Sequence, residues 1–166
     1  MGRNRKHSNY RLKVRHVTVR DLDVLVHHRR GMWEDMGVGT RIELDEADPV
    51  YRKWARARLK SGRFVAWVVE KGDGQIVGGG SVWLKPVQPR PGSKAAVHPY
   101  LLSMYTERNF RGMGVGSLII KEAVKWSKRN GYPSLLLHAS IVGRRLYRKL
   151  GFKRTWEMRR NLQRKQ

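Results

Sequence analysis

Apolar positions along the chain switch between a spacing of two and a spacing of three to four, and each switch marks an element. Leu12–Val19 alternates Leu12, Val14 and His16 with Lys13, Arg15 and Val17, which predicts a short strand. Asp21–Met36 carries Leu22, Leu25, Val26, Met32, Trp33 and Met36 at helical spacings, with Gly37 to stop it. Asp48-Pro49 predicts the start of a second helix, Asp at the N-cap and Pro at the first helical position. That helix carries Tyr51, Trp54, Ala55 and Leu59 and ends near Gly62. Phe64–Glu70 and Gln75–Leu84 flank Lys71-Gly72-Asp73-Gly74, a hairpin signal. Lys85–Pro99 holds Pro86, Pro89, Pro91 and Pro99 and reads as a loop. Tyr100–Thr106 is a buried-strand candidate. Val115–Arg129 places Val115, Leu118, Ile119, Ala123 and Trp126 on one helical face, and Asn130-Gly131 ends it. Leu135–His138, Gly143–Leu150 with Gly151 as a left-handed cap, and Phe152–Met158 are expected as strand, helix and strand. The predicted order is β-α-α-β-β-β-α-β-α-β, a mixed α/β domain over residues 11–160. Residues 1–10 read as a disordered basic arm and 161–166 as a basic tail.

Composition narrows the chemistry. Thirty-six Lys and Arg stand against 13 Asp and Glu, a formal charge of +23, so polyanions and phosphorylated ligands are favoured partners. No cysteine is present, which excludes disulfides, thiolate zinc sites and a Cys nucleophile. The six His show no metal-ligand spacing, so no metal site is expected. Apolar runs are too short to span a bilayer, and Met1–Tyr10 lacks a signal-peptide core. A soluble cytoplasmic protein is the expectation.

One segment carries most of the functional information. Arg111-Gly112-Met113-Gly114-Val115-Gly116 stands between a strand end and a helix start. The first amides of a helix have no intrahelical acceptor, and the helix dipole adds positive potential, so such a turn can hold a diphosphate. Gly114 and Gly116 would let the backbone approach the phosphates without a Cβ between them. The spacing Gly-x-Gly-x-Gly does not match the dinucleotide fingerprint, and no Lys-Ser/Thr follows as a P-loop requires.

Arg111-x-x-Gly114-x-Gly116 after a strand, followed by Leu146-Tyr147-Arg148-Lys149-Leu150-Gly151-Phe152, resembles the GCN5-related N-acetyltransferase superfamily. The first segment looks like its pyrophosphate loop and the second like its LYxKLGF segment. The resemblance covers Leu12 to Met158 and implies a mixed, mostly antiparallel sheet with helices on both faces. It also implies acetyl transfer from acetyl-CoA to an amine. Main-chain groups of Met104, Tyr105 and Thr106 would pair with the pantetheine arm. Arg111, Gly112, Met113, Gly114, Val115, Gly116 and Ser117 would hold the diphosphate. Ser140 stands where many relatives have an Asn on the cofactor.

Tyr147 is the candidate general acid, because the leaving sulfur develops negative charge and a phenol can give it a proton. A base must also deprotonate the ammonium group of the acceptor. Glu107, Glu34 and His138 are candidates, each with a plain structural alternative as a helix or Arg partner, a solvated charge or a core histidine. Without cysteine, direct attack in a ternary complex is expected.

The charge is unevenly spread. Glu34, Asp35, Glu43, Asp45, Glu46 and Asp48 all fall within Trp33–Val50, opposed there by Arg41 alone. Beside an acceptor groove they would favour a cationic acceptor, a small polyamine-like amine or a peptide amine; otherwise they neutralise nearby arginines. Gly143–Gln166 is the opposite, ten cations against Glu157. Some would pair with the phosphates of CoA; the remainder are solvated surface or contact RNA or a ribonucleoprotein. The rival to the enzyme reading is a basic nucleic-acid-binding module that keeps the acetyltransferase shape. Oligomeric state is open, a homodimer included.

Overall fold

The computed structural model describes residues 11–88, 91 and 96–160. The arm and tail expected at 1–10 and 161–166 lie outside the described residues. Five strands, β1 (Lys13–His16), β2 (Phe64–Glu70), β3 (Ile76–Pro86), β4 (Val97–Thr106) and β5 (Leu136–Leu137), form one sheet in sequence order. The first three junctions are antiparallel, and β4–β5 is parallel. The helices are α1 (Leu22–Asp35), α2 (Arg41–Lys60), α3 (Val115–Arg129) and α4 (Arg144–Lys149).

The period of two in β2 divides the core. Phe64, Ala66 and Val68 pack with Leu22 and Leu25 of α1 and Tyr51 and Ala55 of α2. Trp67 and Val69 point the other way, into clusters with Val115, Ile119, Ile120 and Ala123 of α3. The sheet is therefore sandwiched, with α1 and α2 on one face and α3 on the other.

Three consecutive glycines let both layers close on the middle strand. A Cβ at Gly78 would stand 2.7 Å from Val115, and one at Gly80 would stand 2.8 Å from Ile119. Between them, a Cβ at Gly79 would meet His28 Nδ1 of α1 at 2.8 Å. Any side chain at these positions would push a helix off the sheet.

Four expectations are corrected. The first strand is shorter than Leu12–Val19, because Thr18 leaves the ladder to cap a 3-10 turn at Val19–Asp21. The second helix begins at Arg41, not at Pro49. Thr40 and Glu43 form a reciprocal capping box there, Glu43 N–H donating to Thr40 Oγ at 3.3 Å and Thr40 N–H to the Glu43 carboxylate at 2.6 Å. Pro49 lies inside the 20-residue helix, tolerated because tertiary packing on either side of it outweighs its own propensity. The proline-rich loop is shorter than Lys85–Pro99, since Leu84, Lys85 and Pro86 pair with Pro99, His98 and Val97. Proline lacks only a donor and can stand where no ladder bond needs its N–H. Finally, Phe152–Met158 forms no strand. Phe152 packs on Tyr147, but Trp156 and Met158 have no surface to cover and are 98% and 94% exposed. Alternation alone does not make a strand when no core face receives it.

Candidate active site

β4 is where the site opens. It pairs with β5 only at Tyr100–Leu136 and Leu101–Leu137. Beyond this point its outer edge has no strand partner among the described residues. At the same place Ser103 takes a positive φ of 52°, and the β3–β4 register shifts between Gly79 and Ser81. This bulge turns the strand and leaves Met104, Tyr105 and Thr106 along the free edge. A main chain with unpaired groups can accept an extended ligand as an added strand.

The glycine turn follows directly. Gly112 and Gly114 adopt φ of 79° and 86°, the left-handed region, and a Cβ on either would enter open space. Gly114 is the N-cap of α3, and no side chain caps that end. Among the described residues, the amides from Gly112 to Ser117 donate to no backbone carbonyl, the first such bond being Leu118 N–H to Gly114 O at 3.1 Å. Six consecutive amides without a backbone acceptor, at an uncapped helix start, are a donor set that suits an anion such as a diphosphate. Gly116 has another reason to be glycine: its Cβ would lie 3.2 Å from Leu146 of α4. That contact sets α4, and with it Tyr147, against the start of α3.

Tyr147 is half-buried among Leu146, Leu150 and Phe152, its ring centroid 5.7 Å from that of Phe152. Burial raises its pKa above the ordinary phenol value, so it stays protonated at neutral pH. Ser140 Oγ accepts from Gly143 N–H at 3.2 Å and its carbonyl from Arg144 N–H, which leaves the hydroxyl proton available as a donor. Ser140 shapes the turn into α4.

Glu107 directly follows β4, among groups that sequence reading did not single out. His27 Nε2 lies 2.9 Å from its carboxylate and His28 Nε2 lies 3.8 Å away. His28 is buried, its Nδ1 has no partner among the described residues, and burial together with His27 lowers its pKa to about 4. The Tyr105 ring completes the group at 5.2 Å from His28 and 6.1 Å from His27. Gly31 admits that ring, since a Cβ there would come within 2.7 Å of it.

Arg111 points back into the protein. Its Nε donates to the Thr106 carbonyl at 3.0 Å, its guanidinium pairs with Asp35, and it stands 5.8 Å from the Tyr105 ring centre. Arg108 also pairs with Asp35, at 3.3 Å. The end of α1 is thereby tied to the segment before the glycine turn. His27, His28 and Asp35 share the period of α1, and only their convergence with β4 would have revealed them.

Glu34 and His138 are not brought to this cluster. Glu34 is 3.2 Å from Arg30, which also holds Asp45 at 2.6 Å and Asp48 at 2.7 Å. His138 has one ring nitrogen against the Tyr100 hydroxyl and the other 2.9 Å from Glu157. Among the six acids of Trp33–Val50, Arg30 takes three, Arg108 and Arg111 take Asp35, and Glu43 caps α2.

Among the described residues, no group of three His, Cys, Asp or Glu could hold a metal ion, and no helix is long and apolar enough to cross a membrane. Comparison with known proteins agrees with the geometry. No curated protein matches the sequence. A GCN5-related N-acetyltransferase from Ralstonia eutropha JMP134 is 25% identical, with a TM-score of 0.82 over 92% of this chain and 99% of that one. A predicted acetyltransferase from Clostridium acetobutylicum, solved with acetyl-CoA, is 26% identical, with a TM-score of 0.80 over 92% of this chain and 97% of that one. An aminoglycoside N-acetyltransferase in complex with CoA shares the fold at 16% identity and a TM-score of 0.70, over 93% of this chain and 96% of that one. The model of the acetyltransferase (GNAT) family matches residues 24–152. With its split sheet edge, its open cradle of amides and this match over most of its length, the chain belongs to the acetyltransferase (GNAT) family, for which acetyl-CoA is the co-substrate.

Proposed function

We propose that the protein transfers an acetyl group from acetyl-CoA to a primary amine by direct attack in a ternary complex. The observation that carries this reading is the run of free amides from Gly112 to Ser117, with Tyr147 on one side and Glu107 on the other. Acetyl-CoA supplies the acetyl group as an activated thioester. Met104 and Tyr105 would bind its arm by main-chain pairing, and Gly112 to Ser117 its diphosphate. Thr106 adds its N–H alone, because Arg111 already occupies its carbonyl.

Glu107 takes the proton that the ammonium group must lose, and His27 orients its carboxylate. The amine nitrogen then bonds to the carbonyl carbon, the carbon–sulfur bond breaks, the Tyr147 hydroxyl protonates the departing sulfur, and the excess proton on the new amide nitrogen passes to the Tyr147 oxygen. Glu34 has no part in this reading because Arg30 occupies its carboxylate. The acceptor is a small cationic amine or a peptide amine. Its recognition falls to Glu107 and Tyr105, since most acids of Trp33–Val50 are already neutralised. A cytoplasmic setting suits this co-substrate.

A screen of amines read by release of free thiol tests the activity. With an accepted amine in hand, Tyr147→Phe should lower kcat more than about tenfold with little change in CoA affinity, the mark of a group acting in the transition state. Unchanged turnover would remove Tyr147 from the reaction.

A further inference from the structure

Two sets of cations in this protein are used in contrasting ways. Arg15, Arg30, Arg52, Arg108 and Arg111 each meet a carboxylate within 4 Å. They join β1, α1, α2 and the end of β4. On α3 and α4 the pattern reverses. Lys121, Lys125 and Lys128 recur at i, i+4 and i+7, a single stripe of α3. Glu122, at 4.0 Å from Lys125, is the one carboxylate against this stripe among the described residues.

The stripe and Arg129 border a groove of about 390 Å³ floored by Ile120, Val124 and Leu150. Leu150 brings α4 to its edge, and Arg144, Arg145, Arg148 and Lys149 of α4 have no carboxylate partner among the described residues. The chain continues through Lys153 and Arg154 to Trp156, whose ring is almost wholly in solvent.

We propose that this face binds single-stranded RNA. Cations without internal partners sacrifice nothing in turning to phosphates, and the counterions they release drive the association. An exposed indole within a basic segment is a stacking platform for a base, which only an unpaired strand can present. An acidic protein would use the same charge, and the poly-glutamate competition below separates it from an unpaired strand. The stripe is distinct from the cofactor cradle. Lys121 to Lys128 lie roughly 10 to 21 Å along the helix from Gly114, at 1.5 Å per residue.

The test uses the full chain and a fluorescein-labelled mixed-sequence RNA of about 20 nucleotides, read by anisotropy across a salt series. Affinity should fall steeply with salt. The triple variant K121Q/K125Q/K128Q should bind more than about tenfold more weakly, with a logarithmic salt slope shallower by about two, at about 0.7 for each phosphate no longer neutralised. Its stabilisation by CoA should persist, which shows that it folds. Gly114→Glu should lose the response to CoA and keep the RNA. Trp156→Ala should weaken the single strand and leave a duplex of equal charge unaffected.

Parent-like RNA binding by the triple variant would overturn the proposal. So would poly-glutamate competing as well as unlabelled RNA, which would point to an acidic protein. Loss of RNA together with CoA in Gly114→Glu would assign the face to the cofactor. A duplex bound as tightly as the single strand would overturn the single-strand assignment.

Discussion

The basic residues around α1 and those along α3 and α4 are the same chemical groups put to opposite use. Near α1, Arg30 gathers Glu34, Asp45 and Asp48, Asp35 gathers Arg108 and Arg111, and Arg29 lies over the rings of Trp33 and Tyr51. Those pairs join elements far apart in sequence and set the height of β4 and its Glu107 against α1. Along α3 and α4 the cations face water. A paired cation is a fastener, whereas an unpaired one keeps its field for a ligand. Between the two regions lies the glycine turn, whose positive potential comes from amides instead of side chains.

The sharpest way to break this picture is at that turn. Gly114→Glu combines a left-handed φ with a carboxylate in the cradle, so CoA should no longer raise the thermal midpoint and thiol release should fall to background. A persistent midpoint shift would place the cofactor elsewhere.

Next in size is a pH effect on the α1 side. His28 is buried with its pKa lowered from 6.5 to about 4. The unfolded chain therefore binds the proton more readily, and stability contributed by the neutral ring is present above pH 6.5 and is lost as pH falls toward 4. The loss across that window is of order 3 kcal/mol, at about 1.4 kcal/mol per pH unit. Denaturant titrations at several pH values should show it, with a shallower dependence in His28→Gln.

The contrast between the two regions is tested by Arg30→Met against Lys125→Met. The first leaves three carboxylates crowded between α1 and α2 and should lower the thermal midpoint clearly. The second should stay within about 0.5 kcal/mol of the parent. Equal effects would show that the pairs around Arg30 do not fasten the helices. A modest loss is expected of Thr40→Ala, which removes one half of the capping box of α2 and should cost about 1 kcal/mol, or roughly 2–4 °C.

How far the sequence can be read follows from the range of the forces involved. Val115–Arg129 is legible because its apolar stripe, its glycine start and its Asn130-Gly131 end are all local, and they agree. The start of the second helix is not, because Asp48-Pro49 is a good start in isolation, whereas Thr40-x-x-Glu43 further upstream is a stronger one. Phe152–Met158 alternates as strands do, but whether a strand forms depends on the edge that would receive it.

The amino-acid order alone therefore determined the fold class and the cradle, since glycine spacing and helix amides are properties of one continuous segment. It also offered Tyr147 and Glu107. Only tertiary structure decided which acids are free, because Arg30 and Asp35 reach their partners across 15 and 76 residues of chain. The grouping of His27, His28 and Tyr105 around Glu107 was likewise decided there. Charge pairing and desolvation depend on distance in space, which no local pattern encodes.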